Sequence, residues 1–196
     1  MRPLSVFGLI LSLAAMLGAG AQFSPCAAQN APAAAADPVD ATDPNRPPTM
    51  EELKQGWGPL AFMIGEWSGA GMGGGITTAT VSLQPELDGN ILVRRQSASM
   101  QNGGTHKDLM IIYKTRDGKY RASYFDNELH VIQYAVTPIT DPVAGATFLS
   151  DEVTGMPRFR ITYTLTDPKM EKIVFEIKSG GAADFKTYAE GTATRK

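Results

Sequence analysis

The stretch from position 65 to 75 reads GEWSGAGMGGG, in which every second residue from 65 to 73 is a glycine or Trp67. Side chains of a β-strand alternate between two faces, so a strand here has one face that is bare except for an indole. Glycine weakens a strand, and such a face marks a sharp bend, a barrel corner, or close approach by a ligand or another backbone. The stretch predicts a barrel corner, and a ligand over Gly69, Gly71 and Gly73 is the alternative.

The period of two continues from position 64 almost to the end of the chain, and turn sequences such as Asp117-Gly118 separate the alternating segments. One apolar and one polar face with hairpin-length connections is typical of antiparallel sheets. Closure into a barrel is favoured over a sandwich because it removes exposed sheet edges. We therefore predict an all-β fold, an antiparallel up-and-down β-barrel of about ten strands. The predicted strands are 64–72, 76–83, 91–100, 106–114, 120–125, 130–137, 146–153, 158–166, 171–178 and 185–194.

A short helix is predicted just before the barrel. Thr49 and Glu52 have the spacing of a capping box, in which each side chain accepts a hydrogen bond from the other residue's backbone. The helix is expected to run through Leu53 and as far as Phe62, with glycines and a proline interrupting it. Its apolar residues predict that it lies over one end of the barrel as a lid.

The first 21 residues predict a secretory signal peptide. Arg2 supplies the positive region, residues 4–17 form an apolar core, and a small-x-small cleavage site ends at Ala21, with a second option after Ala28. The apolar core is shorter than the roughly 20 residues that a membrane-spanning helix needs. We therefore expect a periplasmic or secreted protein without an integral membrane segment after cleavage.

Residues 22–48 are rich in alanine and proline and have no apolar period, which predicts a disordered linker. Residues 49–196 are then one barrel domain of ordinary size. Cys26 is the only cysteine, so an intramolecular disulfide is excluded. The residues before Cys26 include Pro25 and do not match a lipoprotein box, so a lipid anchor there is not expected.

Charge and motifs exclude several classes of function. The chain has 18 basic and 20 acidic residues and no basic cluster, which argues against nucleic acid and anionic membrane surfaces as partners. It has no Gly-x-Ser-x-Gly elbow, phosphate loop or cysteine nucleophile. We therefore predict no catalytic residue and favour a role that is not enzymatic.

One acidic and histidine cluster has a spacing that suits metal binding. Asp126, Glu128 and His130 would share one face of a continuous strand, where they could bind a metal or transfer protons. They fall at an expected hairpin turn, however, which favours solvated turn residues. His106 has no partner at metal-ligand spacing, so no metal site is predicted.

An arginine pair and several tyrosines are candidates for contact with a ligand. Arg94 and Arg95 are consecutive in one predicted strand, so one of them faces inward if the barrel closes. An inward arginine would suit an acidic ligand head, whereas the alternative places Arg94 outside and Arg95 near the strand's end. Buried tyrosines need partners for their hydroxyl groups, which a wet cavity supplies. The predicted ligand-binding residues are Trp67, Gly69, Gly71, Gly73, Arg95, Tyr124, Tyr163 and Tyr188.

The alternating glycines that follow Trp67, with the lead-in at 60–64, resemble the opening strand of nitrobindin-like haem-binding barrels. Residues 86–90 are more similar to exported bacterial calycin-like domains of unknown function. The resemblance extends over most of positions 60–195, and its specific match is the first strand. It implies a ten-stranded barrel, and in calycins an end closed by the first-strand tryptophan and a last-strand arginine, here Trp67 and Arg195. Nitrobindins ligate haem through a last-strand histidine, and the matching residue here is Tyr188.

Three hypotheses about function follow. The first is an exported barrel that binds a small, largely apolar molecule in its cavity without catalysis and without a cofactor. The second, implied by the resemblance, is a haem-dependent enzyme of nitrobindin type, with Tyr188 as the iron ligand. The third is a structural or interaction module of the cell envelope with a filled barrel. Ligand identity and oligomeric state are left open.

Overall fold

The computed structural model describes residues 46–196, which form one short helical segment and ten β-strands. Each strand pairs in antiparallel fashion with the next, and β1 pairs with β10, so the sheet closes into a barrel. This confirms the predicted fold class. The predicted signal peptide, Cys26 and all but the end of the predicted linker lie outside the described residues.

The elements are α1 (Met50–Trp57), a 3-10 helix (Gly58–Met63), β1 (Gly65–Ala70), β2 (Ile76–Glu86), β3 (Ile91–Met100), β4 (Thr105–Lys114), β5 (Tyr120–Asp126), β6 (Val131–Ile139), β7 (Gly145–Ser150), β8 (Arg158–Asp167), β9 (Met170–Lys178) and β10 (Lys186–Arg195).

The capping box predicted before the barrel is present. The Thr49 hydroxyl accepts a hydrogen bond from the Glu52 amide at 3.3 Å, and the Glu52 carboxylate accepts one from the Thr49 amide at 2.8 Å. The helix that begins there continues as the 3-10 helix and brings Trp57 and Leu60 into the core. The Trp57 indole donates to the Gly89 carbonyl at 3.0 Å, in the turn between β2 and β3. The segment therefore covers this end of the barrel, which we name the closed end.

Strand β1 is shorter than predicted, because it ends at Ala70 instead of position 72. Gly71, Gly73, Gly74 and Gly75 all have positive φ angles, which a β-strand does not use. Gly71 and Gly73 therefore belong to the β1–β2 loop and not to the strand face on which the sequence pattern placed them.

Trp67 joins the first strand to the last. It pairs with Arg195 in the β1–β10 ladder, and the guanidinium carbon of Arg195 lies 4.2 Å from the indole ring centroid. The indole donates to the Met63 carbonyl at 2.9 Å, and Arg195 donates to the carbonyls of Ile64 and Phe62, each at 2.5 Å. The expected contact between the first-strand tryptophan and the last-strand arginine is confirmed, and it ties the barrel seam to the 3-10 helix.

The interior is packed differently at its two ends. Near the closed end, Leu60, Met110, Ile112 and Phe148 are fully buried. The opposite end, named the open end, is formed by the loops β1–β2, β3–β4, β5–β6, β7–β8 and β9–β10. No helix in residues 46–196 is both long and apolar enough to cross a membrane.

Candidate functional site

Strand register decides which arginine of the pair is inside the barrel. Arg94 pairs with Leu83 on β2 and with Met110 on β4, and both of those side chains are buried in the core. Cross-strand partners share a face, so Arg94 points inward and Arg95 points outward. Arg95 is 54% exposed, and its Nη1 lies 2.8 Å from the Glu86 carboxylate. The prediction that Arg95 is the interior, ligand-binding arginine is therefore wrong.

Arg94 is held by a buried ion pair. Its Nη1 lies 2.5 Å from Oδ1 of Asp108, and the two side chains are 7% and 2% exposed. Its Nη2 donates to the Gln96 side-chain oxygen. Desolvation is the largest single influence and lowers the pKa of Arg94, but the acidic groups around it, Asp108 first among them, together outweigh desolvation and the pKa is raised. The Nε atom of Arg94 is buried and has no hydrogen-bond partner among residues 46–196.

Glu171 is a second buried acid, and it is not among the site residues predicted from the sequence. It is 3% exposed, and its Oε2 has no hydrogen-bond partner in the described part of the chain. Burial raises the pKa of Glu171 to about 7, although the charges of Arg94 and Arg195 act to lower it. The sequence contains one indication that Glu171 faces inward. It lies two residues before Ile173 and four before Phe175, so all three share the inner face of the strand.

The raised pKa of Glu171 predicts a specific pH dependence of stability. A carboxyl group whose pKa is higher in the folded state than in the unfolded state stabilises the fold at low pH, and this stabilisation is lost as the pH rises through about 7. From pH 5 to pH 8, wild type is expected to lose roughly 2–3 kcal/mol of unfolding free energy relative to Glu171→Gln. Urea unfolding at the two pH values measures this, and parallel losses in both proteins would contradict it.

Tyr124 and Tyr163, predicted as ligand contacts, do face the interior. They belong to a run of edge-to-face rings that passes through Tyr134 and Phe148, with centroid distances of 6.4, 6.4 and 5.5 Å. Burial raises the pKa of Tyr163 to about 12, so its hydroxyl keeps its proton at neutral pH.

The acidic and histidine cluster near the open end forms a turn. Oδ1 of Asp126 accepts hydrogen bonds from the Glu128 and His130 amides, each at 2.9 Å, and its Oδ2 lies 2.8 Å from Nδ1 of His130. Asp126 therefore organises the β5–β6 turn. This agrees with the interpretation of the cluster as turn residues, which was the alternative to a metal site. No group of three metal-ligating side chains occurs in the part of the chain that the structure describes.

His106 lies at the edge of the interior with both ring nitrogens engaged. Its Nε2 is 3.1 Å from the Tyr124 hydroxyl and 3.6 Å from Asp108, and its Nδ1 is 3.2 Å from Glu128. The two carboxylates raise the pKa of His106 to about 9, against the effect of desolvation. His106 is therefore protonated at neutral pH.

The glycine face of β1 is covered by the chain's own loop. A Cβ atom added to Gly69 would lie 2.7 Å from the Met72 sulfur and 2.8 Å from the Thr192 carbonyl oxygen. One added to Gly191 on β10 would lie 2.8 Å from the Met72 Cα. Met72 thus occupies the space in front of both glycines, and close approach of the loop explains why they lack side chains.

The two remaining glycine candidates differ from Gly69. A Cβ atom added to Gly73 would lie 3.2 Å from the Glu190 amide nitrogen, because the β1–β2 loop packs on β10. A Cβ atom added to Gly71 would have no atom within 4 Å. Both residues hold a loop conformation, and neither lies on the inner face of a strand.

Tyr188 lies at the rim of the open end, at a register shift in β10. It is 54% exposed, and its ring meets the Phe175 ring edge-on with a centroid distance of 5.8 Å. A side chain that lies half in solvent does not suit the role of a haem ligand inside the barrel. The residues present therefore do not fit the haem site that the resemblance implies.

On the side formed by β6, β8 and β9, the inner wall near the open end is apolar. Phe159 and Phe175 stack with their ring centroids 6.1 Å apart, and they pack with Ile132 and Ile173 against the buried core. All four face inward yet stay partly exposed. The interior thus changes from an accessible apolar wall, through the polar cluster of Arg94 and its neighbours, to the packed closed end.

Comparisons with known proteins add no family assignment. No protein-family model matches the chain, and no curated protein matches it.

Proposed function

We propose that this protein binds a small, largely apolar molecule inside the barrel, through the open end, and that its role is binding without catalysis. The observation that carries the proposal is the contrast between the two ends of the interior. Phe159, Ile173 and Phe175 face inward but stay partly exposed, whereas the residues near α1 are fully packed. An apolar wall with a few polar groups beyond it is the usual composition of a small-molecule site.

The free energy for binding comes from apolar surface. Side chains on this wall contact water in the unliganded protein, and each Å² of apolar surface that a ligand removes from water contributes about 25 cal/mol. The rings of Phe159 and Phe175 are stacked at an interplanar angle of 21°. They offer a flat surface that is suited to an aliphatic or aromatic ligand.

The protonation states of the interior favour binding over catalysis. His106 is protonated at neutral pH, so it is not available as a general base. Burial raises the pKa of Tyr124, so its hydroxyl is not available as a nucleophilic phenolate. We further infer from the signal-peptide pattern at 1–21 that the protein acts in the periplasm or after secretion.

A substitution that fills the interior with a larger side chain is expected to weaken binding. The neutral fluorescent probe N-phenyl-1-naphthylamine should bind wild type with a saturable rise in emission. In Ile173→Trp a larger ring points into the interior, so the affinity should fall at least tenfold. The matched control is Val174→Trp, which adds the same ring on the outer face of the same strand and should leave the affinity unchanged.

Three results would contradict the proposal: no saturable signal with wild type, equal affinity in Ile173→Trp, or equal losses in both variants. Native mass spectrometry of the full-length chain, purified from its expressing cells without denaturation, gives an independent measurement. It should detect a small-molecule adduct that is absent from Ile173→Trp.

A further inference from the structure

We propose that the deeper part of the interior recognises the uncharged polar head of an amphiphilic ligand. The head would bind among Arg94, Glu171, Tyr134 and Tyr163, with its apolar tail directed to the open end. This inference rests on the proposed function and adds to it the chemical class of the ligand.

Two buried polar atoms of this interior have no partner. Arg94 and Glu171 are among the four buried polar or charged residues of the described chain, and each has one side-chain atom without a hydrogen bond. Buried polar groups are nearly always paired, because an unpaired one keeps its full desolvation cost. Two unpaired atoms on facing walls of one interior therefore indicate a bound molecule that pairs them.

These groups act on one another through their charges. The charge of Arg94 lowers the pKa values of both Glu171 and Tyr163, and Glu171 acts on Tyr163 in the opposite direction. Arg94 is on β3, Tyr163 on β8 and Glu171 on β9, so their side chains converge from opposite walls. One small head group would meet them together.

The unpaired atoms decide which atoms the head must present. The Nε–H group of Arg94 is a donor and needs an acceptor, whereas an ionised Glu171 oxygen needs a donor. Tyrosine hydroxyls both donate and accept. A hydroxyl or primary amide group supplies a donor and an acceptor within one or two atoms, so it matches this set.

The charges of these groups decide the charge of the head. Asp108 already neutralises Arg94 at 2.5 Å, and Glu171 adds a second acid nearby. The charge of His106 is matched by Asp108 and Glu128, and Arg195, whose charge also acts on Glu171, donates to two backbone carbonyls at the closed end. An ionised ligand carboxylate would add a further negative charge beside Asp108 and Glu171 in a site of low polarity, which is strongly unfavourable. The head is therefore uncharged.

The order of residues along the strands gives the orientation of the ligand. Strand β9 runs from Glu171 near the closed end to Phe175 near the open end, and β8 runs from Phe159 to Tyr163 in the opposite direction. Glu171 and Tyr163 thus lie deeper in the barrel than Phe175 and Phe159, which are near the entrance. A chain of about ten carbons spans roughly the length of four strand residues.

The test compares three ligands with the same tail. Decan-1-ol, decanamide and decanoate are titrated into the full-length chain at pH 8 by isothermal titration calorimetry. The alcohol and the amide should each bind at least tenfold more tightly than decanoate. Glu171→Leu should weaken binding of the alcohol about tenfold, and Glu190→Leu, which removes an exposed carboxylate on the outer face of β10, should not change it.

Each other outcome rejects a defined part of the argument. Equal affinity for all three ligands, tighter binding of decanoate, or no effect of Glu171→Leu would overturn the head-group proposal and leave the proposed function in place. If no decyl ligand binds while the naphthylamine probe does, the head-group proposal fails and the proposed function stands. If nothing binds, including the probe, both proposals are overturned.

Discussion

Replacing Asp108 by alanine is expected to lower the free energy of unfolding by about 3–5 kcal/mol. The substitution removes the carboxylate that lies 2.5 Å from the guanidinium of Arg94, whose side chain is only 7% exposed. Burying a charge costs desolvation free energy. In wild type the attraction to Asp108 offsets this cost, and in the variant nothing replaces that attraction. Urea unfolding at pH 7, followed by tryptophan fluorescence and circular dichroism, measures the change.

The neighbouring residue supplies the control. Arg95 forms an ion pair with Glu86 in which the side chains are 54% and 42% exposed. Glu86→Ala removes a carboxylate from an arginine in the same strand, and it should cost less than about 1 kcal/mol because water replaces the lost partner. Equal effects of the two substitutions would contradict burial as the cause. Removing both charges at once, in Arg94→Met with Asp108→Leu, should restore most of the lost stability.

This arginine pair shows where alternation along the sequence stops being informative. The sequence predicts correctly that one of the two is inside a closed barrel. It does not reveal which one, because Ile91, Leu92 and Val93 before them are all apolar and mark neither face. The choice depends on the register with β2 and β4, which is a property of the pairing of strands distant in sequence.

The strands themselves follow from local sequence. Their period of two and the turn residues between them act over a few positions, so the barrel class and the capped helix were predictable without knowledge of tertiary contacts. The end of β1 was not, because glycine is compatible with both a strand and a positive φ angle. The loop at 71–75 takes the second conformation, and it carries Met72 over Gly69 and Gly191.

Glu171 was missed for a different reason. It lies second in its strand, next to the Asp167–Met170 turn, where an acid is ordinarily solvated. Only the closed barrel makes this position interior, since β9 is covered on its inner face by the opposite wall. The polar part of the candidate site is thus a consequence of closure, whereas its aromatic part was visible as alternating apolar residues.

Replacing Trp67 by alanine is expected to destabilise the barrel by about 3–5 kcal/mol. The indole is 1% exposed, so its loss leaves a large cavity at the seam. The Met63 carbonyl also loses its donor, and the guanidinium of Arg195 loses the ring on which it stacks. Unfolding in urea gives the total cost.

The seam makes this position more sensitive than other core sites. The β1–β10 ladder contains three residue pairs, which start at Trp67 with Arg195 and end at Gly69. Two of the three β1 residues in this ladder, Ser68 and Gly69, have little side chain to pack, so within the ladder the indole supplies most of the apolar contact between the first strand and the last. Closure of the barrel therefore depends strongly on Trp67, the one large side chain among the three β1 residues of this ladder.

Trp67→Phe separates the two contributions of the indole. It keeps an aromatic ring against Arg195 but loses the hydrogen bond to Met63, so its cost should be about 1–2 kcal/mol. Hydrogen exchange should show faster opening of β1 and β10 amides in Trp67→Ala, with β4 and β5 little changed. Uniformly faster exchange across all strands, or equal costs for the two substitutions, would show that Trp67 stabilises the whole core and not the seam.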